Sequence, residues 1–243
     1  MNKIPLNYNW NYCESFKDEY IKQFPKGETV HIPHTNKELP FNNFSEKEFQ
    51  FISSYEKIID VSVKKQKRYV LQFDGVMNYS EVYFNEVLVT SHKGGYTPFK
   101  VDVSEYIVDG ENKLFVKVDS TERIDTPPYG FVIDYLTYGG IYREVYLVEY
   151  EREYIDQVFI DVVDSILELQ LFIKGDFKTQ KDCRFEILKD DKVIDSFINL
   201  VDFSEEKSNC TEEVSLEQWT LENPVLYTFR VFNEGTLLYE SRF

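Results

Sequence analysis

Glu81-Val-Tyr-Phe-Asn-Glu-Val-Leu-Val-Thr90 reads as two short apolar-rich runs around a two-residue turn, Asn85-Glu86. Valine, tyrosine and phenylalanine suit the half-buried pleated surface of a strand, and a two-residue loop between such runs is a hairpin signal. The stretch therefore predicts a β-hairpin, and the sequence on either side repeats the pattern. Upstream, Arg68-Tyr-Val-Leu-Gln-Phe-Asp74 is a strand bounded by Gly75. Downstream, Lys113-Leu-Phe-Val-Lys-Val-Asp119 alternates after the turn signal Asp109-Gly110-Glu111-Asn112. Only Glu14 to Phe24 admits a short helix. Strands and turns at this frequency predict a sandwich or jelly roll.

The second half continues in the same way. Gln157 to Val163 is a strand, and Leu167, Leu169, Leu171 and Ile173 alternate with Glu168, Gln170 and Lys174, broken only by Phe172. Phe185-Glu-Ile-Leu and Lys192-Val-Ile flank Lys189-Asp190-Asp191; Tyr227-Thr-Phe-Arg-Val-Phe and Thr236-Leu-Leu-Tyr flank Asn233-Glu234-Gly235. This density of short strands fits an immunoglobulin-like sandwich, without the Cys–Trp–Cys core of antibody domains. Between the halves, the charged run Glu149-Tyr-Glu-Arg-Glu153 is either a linker or a strand passing from one domain to the next. The domains are expected at 1–150 and 151–243.

Composition narrows the function classes. At 243 residues, 42% hydrophobic and 16% aromatic, the chain has room for two globular domains. It contains no alanine, the best helix former, which again leans all-β. Acids outnumber bases 43 to 27, and a net charge of −16 repels nucleic acid. Cys13, Cys183 and Cys210 form no CxxC pattern, and the N-terminus lacks an apolar leader, so the expectation is a bacterial cytoplasmic protein, with no membrane partner. Asn43, Asn78 and Asn209 begin sequons that mean little without a secretion signal. His31, His34 and His92 are the only histidines; Pro33 between the first two argues for an extended loop, and no metal site is expected. No Gly-x-Ser-x-Gly elbow or nucleotide-binding glycine pattern is present.

Asp134-Tyr-Leu-Thr-Tyr-Gly139-Gly140-Ile141-Tyr142-Arg143 places an acid before a tight Gly-Gly turn that runs into an alternating strand, Tyr142 to Glu149. Gly94-Gly-Tyr-Thr-Pro-Phe99 lies upstream. With Ile32-Pro-His-Thr-Asn36, Phe73-Asp-Gly-Val76, Val82-Tyr-Phe-Asn85 and Trp219-Thr-Leu-Glu-Asn-Pro-Val-Leu-Tyr227, these segments resemble, in order, the N-terminal part of glycoside hydrolase family 2 enzymes, the β-galactosidases and β-glucuronidases. Glu86 stands where that family usually has glycine. The resemblance covers essentially the whole chain. It implies a sugar-binding jelly roll, then an immunoglobulin-like domain.

The same resemblance implies roles for individual residues. Asp134 sits at the offset of a loop acid that hydrogen-bonds a galactose hydroxyl, and a carboxylate offers several acceptor sites for such groups. Asn36 falls where some members send a side chain toward the sugar. Gly94, Gly95, Gly139 and Gly140 read as turn formers, and Arg143 as a tie from the Gly turn to a neighbouring carboxylate. Trp219 and Tyr227 read as packing residues of the second domain.

In the family the proton donor, nucleophile and metal ligands lie on a (β/α)₈ barrel of about 250 residues, and no strand–helix series occurs here. The expectation is therefore a non-catalytic N-terminal portion of a glycosidase, inactive alone, with no cofactor of its own; a divalent cation would belong to the parent. The most fitting parent is a β-galactosidase, with β-glucuronidase and β-mannosidase as neighbours. Its partners would be the barrel, a β-linked glycoside and, through an exposed docking face, other copies of the chain. The alternative is an autonomous carbohydrate-binding module without hydrolase activity.

Overall fold

The structure is a computed structural model that describes residues 2–127, 136–175 and 179–243. The chain divides into two compact units, Asn2–Glu149 and Tyr150–Phe243. The first contains β1 (Asn2–Pro5), β2 (Trp10–Cys13), β3 (Glu28–Val30), β4 (Ile52–Val61), β5 (Lys67–Phe73), β6 (Tyr79–Phe84), β7 (Val87–Lys93), β8 (Phe99–Asp102), β9 (Gly110–Asp119) and most of β10 (Val145–Glu151). Two sheets, in the orders β1-β10-β5-β8 and β3-β2-β4-β9-β6-β7, make a jelly-roll sandwich. Trp10, Tyr55, Leu71, Phe73, Phe84, Leu114 and Leu147 fill its core. Each such side chain stabilises the fold by roughly 1.5–3 kcal/mol relative to exposure.

The predicted hairpin is present as β6 and β7, and the turn residues Asn85 and Glu86 have φ of 48° and 71°. Asn85 also ties this turn to the next one. Its Nδ2 donates to the Tyr106 carbonyl (2.8 Å) and Asn112 Oδ1 (2.9 Å), and its Oδ1 accepts from the Lys113 N–H (2.8 Å). Asn112 is buried; its Oδ1 accepts again from the Val108 N–H and its Nδ2 donates to the carbonyls of Val108 and Gly110. Two turns at this end of β9 are thereby closed by two amides.

Glu14 to Phe24 does not form an α-helix. Only a 3₁₀ turn, Asp18–Ile21, appears, and Lys17 at its N-cap is extended and supplies no capping acceptor. Instead Phe16 and Phe24 pack their rings 6.2 and 6.1 Å from Phe115 on β9. The strand expected from Tyr142 starts three residues later, at Val145. The preceding carbonyls are taken by loops: Ile141 accepts from the His34 N–H and Glu144 from the Asp74 N–H.

The second unit contains β11 (Glu153–Val163), β12 (Ile166–Gly175), β13 (Gln180–Lys189), β14 (Lys192–Asp202), β15 (Lys207–Glu213), β16 (Thr228–Asn233) and β17 (Thr236–Arg242). Only Arg152 separates β10 from β11. The sheets β11-β12-β15 and β14-β13-β16-β17 form an immunoglobulin-like sandwich around Leu167, Leu169, Leu171, Phe185, Phe203 and Phe229. Phe172, the break in the alternation, lies against the Phe159 ring (5.5 Å) and beneath the Lys207 ammonium (4.8 Å). Asp190, Asp191 and Glu234 all take positive φ in their hairpin turns.

Candidate functional site

Four motif segments of the first unit meet around the Gly139-Gly140 turn, beside the Asp119 end of β9, whereas Val82-Tyr-Phe-Asn85 ends at the other end of that strand, where Asn85 bonds to Asn112 and Lys113. Residues 34–36 run alongside 139–141. The Asn36 N–H donates to the Gly139 carbonyl (2.8 Å), and His34 and Ile141 are joined at 2.8 Å. On the other side Gly140 exchanges two backbone bonds with Met77, at 2.9 and 3.1 Å. Gly140 has φ +117°, and a Cβ there would lie 2.5 Å from the His34 carbonyl oxygen and 2.9 Å from the Asn36 nitrogen. Only glycine lets three chain segments come this close. A Cβ on Gly139 would strike Ser120 at 2.2 Å, and one on Gly95 would strike Met77 Sδ at 2.0 Å. Gly94 takes φ +107°, and its N–H donates to the Asn78 carbonyl.

Polar side chains lock this meeting point from within. Asn36 is 1% exposed; its Nδ2 donates to the Phe49 carbonyl (3.0 Å) and to Ser120 Oγ (2.9 Å). The Tyr12 hydroxyl donates to the Asn36 carbonyl, and the Tyr55 hydroxyl lies 2.9 Å from His34 Nδ1. Burial raises the pKa of Tyr12 and Tyr55 well above the phenol range and lowers that of His34, against the pull of Glu28 and Glu38. The cluster is thus held uncharged at neutral pH. Two buried acceptors, Asn36 Oδ1 and Asn78 Oδ1, receive no hydrogen bond from the described residues.

At the rim, Arg123 bridges Asp119 (3.3 Å) and Asp125 (3.2 Å) and lies over the Tyr79 ring, while Lys93 reaches Asp125 from β7. The Lys93 hydrogen bond, then that of Arg123, holds the Asp125 carboxyl far below its ordinary value. Leu136 and Tyr138, on the approach to the Gly-Gly turn, are exposed, and the Tyr138 ring lies 6.2 Å from Phe49.

The residues expected from the sequence are distributed unevenly. Asp134 lies outside the described residues. Asn36 is at the junction, buried, with its Nδ2 turned inward to the Phe49 carbonyl and Ser120 Oγ. Arg143 does not bind a carboxylate among the described residues; its Nη1 lies 3.4 Å from the Tyr96 carbonyl oxygen, and its stem covers Gly75. The Tyr142 hydroxyl beside it donates to the Gly95 carbonyl. Tyr227 is buried in the second unit, its hydroxyl accepting from the Glu217 N–H (2.9 Å). Trp219 corrects the packing expectation: it is 56% exposed, because residues 214–227 form no strand and leave the indole outside the sandwich. Tyr12, Tyr55 and Ser120 were missed by sequence reasoning, since they come from three separate places and share no spacing. Among the described residues, no three His, Cys, Asp or Glu side chains converge as metal ligands. Among these residues no helix is long and apolar enough to cross a membrane.

Residues 27–151, which include every segment of this junction except the first strands, match the family described as "Glycosyl hydrolases family 2, sugar binding domain". The chain belongs to glycosyl hydrolase family 2. A β-galactosidase of Thermoanaerobacterium thermosulfurigenes is 34% identical over 99% of this chain and 36% of its own length. One from Thermoanaerobacter pseudethanolicus is 34% identical over 95% of the chain and 33% of its length. The chain thus spans about a third of the length of these two relatives. Among solved structures, the β-glucuronidase of Parabacteroides merdae superposes with a TM-score of 0.81 at 21% identity, covering 100% of this chain and 36% of that one. A Bacteroides uniformis β-glucuronidase gives 0.80 at 21% identity, covering 99% and 32%. At such identity the likeness concerns the fold.

Proposed function

We propose that this chain forms the non-catalytic front of a β-galactoside-hydrolysing family 2 enzyme, with the Gly139-Gly140 junction positioning a loop at the sugar. One observation carries the reading: segments 32–36, 77, 94–95 and 139–142, distant in sequence, converge on a rigid, uncharged junction directly after the stretch containing Asp134. Identity of 34% to two β-galactosidases over nearly the whole chain favours a galactoside over a glucuronide. In this reading Asp134 accepts hydrogen bonds from sugar hydroxyls, and the proton donor and nucleophile come from another part of the complete enzyme.

The test is Asp134→Asn in the complete enzyme. Asparagine keeps the shape but loses the charge-assisted bond, so kcat/KM on a nitrophenyl β-galactoside should fall about 100-fold with little change in Tm. Unchanged kinetics remove Asp134 from the site. Calorimetric titration of the 243-residue chain with galactose and lactose should show no binding. Millimolar or tighter affinity would favour a binding module, and enzyme-like hydrolysis by this chain would overturn the reading.

A further inference from the structure

The strand β14 is an edge of the second unit's four-stranded sheet. Its core-facing side carries Phe197 and Val201, packed with the sandwich interior. The opposite side carries Ile194, Ile198 and Leu200, which are 47, 69 and 49% exposed, with Ser196 between them and no charge. Natural edge strands are usually guarded by charge on such faces.

The backbone of this edge is occupied only locally. The Ser196 N–H is taken by Asp195 Oδ1 (2.8 Å), the Leu200 N–H by Asn199 Oδ1 (2.9 Å) and the Asp202 N–H by Ser208 Oγ (3.0 Å). The same bond to the preceding aspartate recurs at Val162 on β11, an edge strand of the other sheet. These bonds mark amides that point away from the ladder, and on β14 all three, at 196, 200 and 202, share one side of the strand, as its period of two requires.

We propose that β14 pairs antiparallel with β14 of a second copy of this chain, about a two-fold axis at Phe197. A two-fold interface must be self-complementary, and this strand is. The register sets Phe197 against its own mate, Ser196 against Ile198 and Ile194 against Leu200. It also brings Lys192, which has no acidic partner among the described residues, toward Asp202 of the partner copy, and opposes no like charges. The bulge at Ile194 ends the regular ladder, and the long lysine reaches beyond it. Because each copy carries −16, association strengthens as salt screens the repulsion.

Sedimentation velocity of the 243-residue chain over a concentration series, at low and high salt, tests this. The expected result is a monomer–dimer equilibrium shifted toward dimer by salt. Ile198→Asp, at a solvent-facing position, should abolish it, whereas Val87→Asp, a change at an exposed apolar residue of the first unit, should not. Lys192→Glu should raise the dimer Kd roughly tenfold, from two like-charge contacts per dimer. Circular dichroism confirms that each variant is folded. A monomer at every concentration and salt overturns the proposal, as does a dimer that survives Ile198→Asp or is lost equally in Val87→Asp.

Discussion

Replacing Gly140 with alanine should damage the first unit more than any other single-methyl addition at a positive-φ glycine. Two terms contribute. The backbone at φ +117° is sparsely populated by residues with a Cβ, which costs about 1–2 kcal/mol. The new methyl would also sit 2.5 Å from the His34 carbonyl oxygen and 2.9 Å from the Asn36 nitrogen, backbone atoms of a segment pinned on either side by the His34 and Asn36 N–H bonds to 141 and 139. Neither can swing aside, so the overpacking term is about 2–3 kcal/mol. The total, about 4 kcal/mol, is a large part of an ordinary domain's stability. Gly110→Ala is the control, because Gly110 has φ +89° but nothing within 4 Å of a built Cβ; it should cost only the backbone term. The assay is urea unfolding followed by tryptophan fluorescence. Trp10 is fully buried in the first unit and Trp219 is the second unit's indole, so a Trp219→Phe background reports the first unit alone. With a slope of about 2 kcal/mol per molar, Gly140→Ala should lower the midpoint by roughly 2 M and Gly110→Ala by less than about 1 M. Equal shifts would refute the argument from close approach.

Further expectations concern the polar lock and the buried titratable groups. Asn36→Ala removes two internal hydrogen bonds and leaves buried acceptors on Phe49 and Ser120; it should cost about 2–3 kcal/mol in the same unfolding assay, and a loss under about 0.5 would show that Asn36 does not hold the junction. Burial pushes the Cys183 and Cys210 thiols up to about 11, so the unfolded chain releases their protons first. The stability of the second unit should therefore hold below the ordinary thiol pKa, about 8.5, and decline as pH rises toward 11, with a flatter profile in Cys183→Ala/Cys210→Ala. His34 and His92 are both lowered by burial, so the unfolded chain binds protons that the native chain refuses. First-unit stability should be intact above the ordinary histidine pKa, about 6.5, and fall as pH drops below it; a flat unfolding midpoint across that interval would contradict the placement of both rings.

Turns were the legible part of the fold. Asn85-Glu86, Asp190-Asp191 and Glu234-Gly235 announce their hairpins because Asn, Asp and Gly tolerate the positive φ that these loops adopt, and each loop carries at least one of them. The alternation of Leu167 to Ile173 was equally plain, since one face of β12 is core and the other is not. Strand β4 was not legible: Ser53, Ser54 and Glu56 are buried alongside Tyr55, which erases the period of two. The segment after Cys13 misled because its aromatic rings answer to Phe115 across space and not to their neighbours in sequence. At the site, the glycines could be singled out, but the reason for them lay elsewhere in the chain: the carbonyl of His34, the side chain of Ser120 and the sulfur of Met77. Trp219 shows the converse, a motif residue whose exposure no local pattern reports.

Asn112 and the Gly139-Gly140 junction lie at opposite ends of β9, whose ten residues span roughly 30 Å. The amide clamp at one end sets strand register through its own hydrogen bonds, without help from the loops at the other. Loops beside Ser120 are therefore free to change length and chemistry while the scaffold beneath them keeps its alignment. A fold partitioned in this way can acquire a new ligand preference by editing one rim, with folding competence inherited intact from the other.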